Sequence, residues 1–305
     1  MAVLRERHPE YYFNDGTAHF LISEPTRQTL YKLYPGLLTL RSSVLESLFS
    51  LPQPGGQQSA REGTCDENPI VLHGIIRREF DYLLAFLSGG YAGEQHREEF
   101  LISVLKLSEF FEITHGSQYA VAELSRLESF DASLKLQLGR QYHVDHWVEP
   151  AFRDLLSRPL SSISRAEACR MGLEYFYVLA HVKSLVERSC RAIAYTAPPL
   201  IQPPICTTPS QCEASWKEEW WNDIARQLLH PDDPCCGHEI LAWLDDAEIP
   251  GLCAACKEAT ISELKDKQMD VLLQEEELVN TAVMEIMALQ TDEPIRASFR
   301  QLHSH

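Results

Sequence analysis

Long hydrophobic runs are missing from this chain of 305 residues, and nowhere does it offer the roughly 18 or more consecutive apolar residues that a membrane span requires. The opening stretch from Met1 to Phe13 carries Arg5, Glu6, Arg7, His8 and Glu10 with no apolar core among them, which argues against a secretory signal. A cytoplasmic or nuclear protein is therefore expected. Basic charge is also scarce. Lys and Arg number 27 against 44 Asp and Glu, for a formal net charge of −17, and the densest basic runs, Arg77-Arg78 and Arg188 to Arg191, are a few residues long in helical patterns. A surface of that sign repels phosphate backbones, so neither nucleic acid nor a membrane is expected as a partner.

The signatures of common chemistries are absent too. There is no Gly-x-Ser-x-Gly elbow, no phosphate loop ending in Gly-Lys-Ser/Thr and no His-Glu-x-x-His helix. The glycine-rich Ser88 to Gly93 lacks a basic residue and a preceding strand, and reads as a helix stop. His143 and His146 beside Asp145 read as a helix start, and Glu275 to Glu277 as a solvated helix face. The chain is expected not to be an enzyme.

What is present is an ordinary globular balance, 45% hydrophobic and 23% charged, in a chain long enough for more than one core. The run AHFLI at 18–22 follows the turn residues Asn14-Asp15-Gly16, and a second run, Thr29 to Tyr34, lies within hairpin distance. After Pro35-Gly36, Leu37, Leu38, Leu40, Val44, Leu45, Leu48 and Phe49 recur at helical spacing. Residues 53–68 are nearly devoid of apolar side chains and read as a mobile surface loop, followed by a third strand at Pro69 to Leu72. A helix over Ile76 to Leu87 ends at Gly89-Gly90. The text then turns helical: Phe100 to Phe111, Tyr119 to Phe130, Leu134 to Tyr142, Trp147 to Leu156, and one long helix from Arg165 to Ile193 behind a capping box at Ser164 to Glu167. Strands first and helices after predict an α+β unit followed by an all-helical one.

The prolines between Ala197 and Pro204 remove backbone donors and mark a boundary. The expected layout is a first domain over 1–128, a helical extension over 129–196, a Pro/Cys-rich linker over 197–215 and a C-terminal helical region over 216–305. A final helix from Ile261 to about Leu289 would carry one stripe of Ile261, Leu264, Leu272, Val279, Val283 and Ile286, covering a core or a partner.

Three blocks stand in order near the start: HPEYYFNDGTAHFLI, then TLYKLYPGLLTLRSSVLESLFSLP, then DENPIVLHGIIRREFDYLLAFLSGG. Together they resemble the BTB/POZ domains of the large family found in mushroom-forming fungi, and the likeness spans Pro9 to Gly90 and continues to about Leu127. The later blocks DASLKLQLGRQYHVDHWVEPAFRDLLSR and SRAEACRMGLEYFYVLAHVKSLVERS resemble the helical continuation of those proteins. Tyr34 stands where many members carry a His. The resemblance implies a three-stranded sheet with helices and a role in binding other proteins, as a substrate adaptor docking a cullin-type ubiquitin-ligase scaffold or as a transcription-associated factor. No hydrophobic-x-Glu docking motif occurs around Phe86-Leu87-Ser88, and self-association is left open. Candidate contact residues are Val44 and Leu48 on the helix at 42–50, and Phe80, Leu84 and Leu87 on the stretch from Ile76 to Tyr91; the spacing of these last three serves a core face equally.

Nine cysteines in a reducing compartment default to free thiols or metal ligands. Cys253-Ala254-Ala255-Cys256 is the half-site that tetrahedral zinc uses, because two thiolates three positions apart converge on one ion. A second pair is to come from Cys206, Cys212, His230, Cys235, Cys236 and His238, with Cys212, Cys235, Cys236 and His238 favoured, although the spacing follows no standard zinc pattern. A zinc here would be structural. The alternative is a zinc-dependent or thiol redox enzyme built on these cysteines, but a redox pair needs a strand before its helix and none precedes Leu252.

Overall fold

The computed structural model describes residues 4–50, 62–89, 96–230, 234–235, 237–265 and 274–302, apart from the side chains of 274 and 290–302. Its contacts divide the chain into two compact units, Met1–Phe130 and Asp131–His305.

In the first unit the turn at Asn14 to Gly16 positions β2 (Ala18–Ser23), which pairs antiparallel with β3 (Arg27–Leu33). The sheet has four strands where three were expected: the charged lead forms β1 (Leu4–Tyr12), parallel to β3, and β4 (Ile70–Leu72) lies parallel to β2, giving the order β1-β3-β2-β4. β1 carries no apolar alternation in its sequence because it is an edge strand with largely exposed side chains. Its register slips between Arg7 and Tyr12, around Pro9, which cannot donate to a ladder. The amides freed by the slip are taken up by one side chain: Nδ1 of His8 accepts from the amides of Glu10 (3.1 Å) and Tyr11 (2.9 Å).

β2 is buried from Ala18 to Ile22, as befits a central strand. Pro35 opens α1 (Pro35–Thr39), and α2 (Ser43–Ser50), α3 (Arg77–Leu87), α4 (Arg97–Phe110) and α5 (Thr114–Ser125) complete the unit. Phe20, Ile22, Tyr31, Leu33, Leu38, Leu45, Phe80, Leu84, Leu87 and Leu107 close one core. Part of the loop expected to be mobile is anchored. Asp66 accepts from Tyr12 Oη (2.8 Å) and Arg7 Nη2 (2.8 Å) and meets His19 Nδ1 at 2.8 Å, tying 62–68 to β1 and β2. Burial pushes the Asp66 carboxyl up, yet the hydrogen bonds from Tyr12, Arg7 and His19 outweigh it and hold it below the usual carboxylate range. Residues 53–61 of that loop lie outside the described residues.

The second unit comprises α6 (Ala132–Gln141), α7 (Asp145–Ser157), α8 (Arg165–Met171), α9 (Leu173–Tyr195), α10 (Pro209–Glu219), α11 (Ala225–Leu228), α12 (Gly237–Asp246), α13 (Ala254–Lys265) and α14 (Gln274–Leu302). Asp131 caps α6 by accepting from the Leu134 amide at 2.8 Å, and the capping box of Ser164 and Glu167 is formed at the start of α8. The single long helix expected from Arg165 is two, because Gly172, with φ of 79°, breaks the run into α8 and α9.

α9 contributes to two cores. Tyr175, Val178 and Leu179 pack with Phe152 of α7 and Val283 and Ile286 of α14, while Ile193 and Ala194 pack with Trp216, Trp220, Ile240, Leu244, Ile261 and Leu264. The stripe expected on one final helix is thus divided, with Ile261 and Leu264 on α13 serving one core and Val283 and Ile286 on α14 the other; Leu272 lies outside the described residues. The proline-rich stretch expected at a domain boundary lies inside this unit, between α9 and α10. No described helix is long and apolar enough to cross a membrane.

Candidate metal centre

The strap from Ala197 to Thr208 cannot be helical, and it is held by bonds that tryptophan and threonine side chains supply. Trp216 Nε1 on α10 donates to the Pro198 carbonyl at 2.8 Å, and the Ile201 amide donates to Thr260 Oγ1 of α13 at 3.0 Å. The strap then turns at Pro203, whose carbonyl accepts from the Cys206 amide at 2.9 Å, so that the thiol of Cys206 stands beside the start of α10. Thr208 precedes that helix, Pro209 occupies its first turn, and Cys212 follows with its sulfur buried.

The second half of the site is positioned by Gly251. Its φ of +81° is a conformation that an L side chain rarely adopts, and a Cβ there would lie 2.4 Å from Ser215 Oγ on α10. Glycine therefore lets the turn press against α10 as the chain enters α13, which carries Cys256 in its first turn with Cys253 just before it.

The outcome is that the sulfurs of Cys206, Cys212, Cys253 and Cys256 all lie within 4.8 Å of one another. Cys206 and Cys212 are separated by 3.8 Å, and Cys253 and Cys206 by 3.9 Å. Sulfurs at the corners of a tetrahedron with arms of about 2.3 Å stand roughly 3.8 Å apart, the separation a zinc ion imposes. A disulfide, at about 2.05 Å, is far shorter. The Cys253 amide points at Cys212 Sγ at 3.5 Å and lowers that thiol to about 7, while burial pushes the Cys256 thiol up. An amide aimed at a sulfur stabilises negative charge on it, as the surroundings of metal-bound thiolates do.

No family model and no curated protein matches the chain.

Of the expected ligands, Cys212, Cys253 and Cys256 come together, and the fourth member is Cys206. Cys235 does not join: its amide donates to the Gln227 carbonyl at 3.1 Å and its thiol to Gln227 Oε1 at 3.8 Å, against the Trp216 core. His230 and His238 are exposed and join no metal-ligating group among the described residues, and Cys236 lies outside those residues. A sequence signal for this choice is the helix start, since Cys206 and Cys212 bracket Thr208-Pro209 at the N-terminus of α10. His143 and His146 are exposed at the start of α7, and no metal-ligating group among the described residues includes them.

The expected contact residues divide differently. Phe80 and Leu84 are 1% and 0% exposed, and Leu87 is likewise buried; all three belong to the core of the first unit, because α3 turns that face to the sheet. Val44 is exposed and Leu48 half-buried. Leu40, not singled out for contact, is 87% exposed at the end of α1. Ser42 Oγ donates to the Phe111 carbonyl at 2.5 Å, joining the segment that bears Leu40 and Val44 to the end of α4, where Phe110 is also exposed. A His–Asp pair also lies in this unit, His8 Nε2 being 3.2 Å from Asp81 Oδ2, with Tyr31 Oη donating to Asp81 Oδ1 at 2.7 Å. With Nδ1 of His8 already accepting two amides, the imidazole has no lone pair left to serve as a base, and the pair acts as a brace between β1 and α3.

Proposed function

We propose that this chain is an intracellular protein-interaction protein: a BTB/POZ-type first unit recognises another polypeptide, and a helical second unit is held by a structural zinc on Cys206, Cys212, Cys253 and Cys256. The interaction reading is carried by the exposure of Leu40, Val44 and Phe110 on two segments joined by a buried hydrogen bond, in a unit whose own core is already closed by other side chains. An antiparallel hairpin, two short helices, a strand returning parallel to β2 and a helix over the sheet also agree with the BTB resemblance of the sequence.

The full chain used as bait tests it, with Leu40→Asp and Val44→Asp as comparison. Both positions are exposed, so the variants are expected to fold as the parent does, which circular dichroism checks. They are expected to lose the partner that the parent captures; unchanged capture at equal yield overturns the assignment of this face. Recovery of a cullin-type scaffold favours the adaptor form of the reading, and another partner lost on the same substitutions favours a different assembly.

The zinc reading is carried by four sulfurs gathered within 4.8 Å of one another, two of whose separations, 3.8 and 3.9 Å, match those of a tetrahedral thiolate site. A closed all-thiolate set leaves no position for water or substrate, which favours a structural ion over a catalytic one and disfavours the enzyme alternative. Elemental analysis of the purified chain is expected to find about one zinc per chain, reduced when Cys253 and Cys256 are replaced by Ser. A metal-free chain that folds equally well overturns it.

A further inference from the structure

We infer that the thiol cluster is a peroxide-sensitive clamp, in which Cys206 and Cys253 form the first disulfide and the bound metal leaves while the strap stays tied to α13. The inference rests on the zinc reading of the same site. The four sulfurs differ in access: Cys206 and Cys253 are half-buried, whereas Cys212 and Cys256 are buried. They differ also in what holds them. Cys212 and Cys256 sit in first turns of helices, while Cys206 rides on the non-helical strap, and Cys253 stands before its helix. The two accessible sulfurs are 3.9 Å apart, so reaching a bond of about 2.05 Å requires an approach of about 1.9 Å. Side-chain rotation and the strap can share that movement without disturbing either helix.

The oxidant is hydrogen peroxide. One thiolate attacks a peroxide oxygen, the O–O bond breaks, and a sulfenic acid and hydroxide result. The second thiolate attacks the sulfenic sulfur, forming the S–S bond and expelling a second hydroxide. Two sulfurs are oxidised by one electron each and the peroxide takes up both electrons. The ion is left with Cys212 and Cys256 alone, and a closed four-thiolate site becomes an open pair that water and chelators reach. The new disulfide spans 47 positions of chain and keeps the strap where the zinc held it. Oxidation therefore removes the metal while the Cys206 end of the strap stays tied, whereas chelation under reducing conditions frees that end and leaves only the Trp216 and Thr260 bonds at its beginning.

The test takes the full chain through hydrogen peroxide in the presence of a chromophoric zinc chelator, then non-reducing digestion and mass spectrometry. Expected are release of about one zinc per chain, a peptide pair joined through Cys206 and Cys253, and recovery of zinc binding after dithiothreitol and added zinc. Limited proteolysis is expected to spare the strap in the oxidised chain and to cut it in the chelated, reduced one. A zinc-bearing chain that keeps its metal with four free thiols overturns the clamp and leaves the zinc reading standing, as does a first disulfide between Cys253 and Cys256. A chain that holds no zinc yet bridges Cys206 to Cys253 does the reverse: it overturns the metal reading and supports the thiol pair as the oxidisable element.

Discussion

Replacing Gly251 by Ala tests how the second half of the thiol cluster is positioned. At φ of +81° an alanine is in the left-handed region, a strain of roughly 1–2 kcal/mol. The new Cβ would also lie 2.4 Å from Ser215 Oγ, but that atom is a hydroxyl on a rotatable bond and can swing away, and the next atoms, at 3.4 and 3.5 Å, are in ordinary contact. The backbone strain should therefore dominate. If the turn is held in the metal-bound form and relaxes without metal, 1–2 kcal/mol corresponds to zinc binding weaker by roughly 5- to 30-fold. Competition against a chelator of known affinity measures this, with Gly251→Ala/Ser215→Ala as control. The double variant should regain only a small part of the loss. An affinity within about twofold of the parent, or complete restoration in the double variant, would refute the assignment of this glycine to backbone conformation.

Two further outcomes follow from the packing and the charges. Leu84→Ala empties a fully buried position in the first core and should cost about 2–5 kcal/mol in urea unfolding, while Leu40→Asp at an exposed position should stay within about 0.5 kcal/mol of the parent; equal losses would mean that the burial of α3 is misassigned. Glu167, bonded to Arg158 at 2.8 Å and to the Ser164 amide at 2.8 Å, is held down at about 2 by Arg158 first and by Ser164 next. A carboxyl depressed in the folded state contributes stability that is present above its unfolded value, near 4.3, and is lost as pH falls towards 2. Glu167→Gln should thus be less stable than the parent by about 0.5–2 kcal/mol at neutral pH, with the gap closing in acid; a gap independent of pH would assign the loss to packing.

Local rules carried much of the reading. The turn at Asn14 to Gly16, the β2–β3 hairpin, the capping box at Ser164 and the helix over Ile76 to Leu87 depend on residues close together in sequence, and each is found where local chemistry puts it. β1 was illegible because its place depends on pairing with β3, some twenty positions away, and its exposed side chains leave no pattern. Gly172 was legible in principle, since a glycine inside a helical run is a stop signal, but the apolar periodicity on either side masked it.

What the sequence by itself determined is the order of strands before helices, the caps and turns, the absence of long apolar runs and the Cys-x-x-Cys half-site, all of which follow from interactions within a few residues. Only the tertiary structure decided which face of α3 is core, that Leu40 and Val44 stay outside it, and that Cys206, not Cys235, completes the thiol cluster. The reason is the same in each case, that contacts between segments far apart in the chain decide and no local pattern encodes those distances: in the first unit it is the packing of α3 against the sheet, and in the second it is the folded strap and the left-handed glycine that bring the four thiols together.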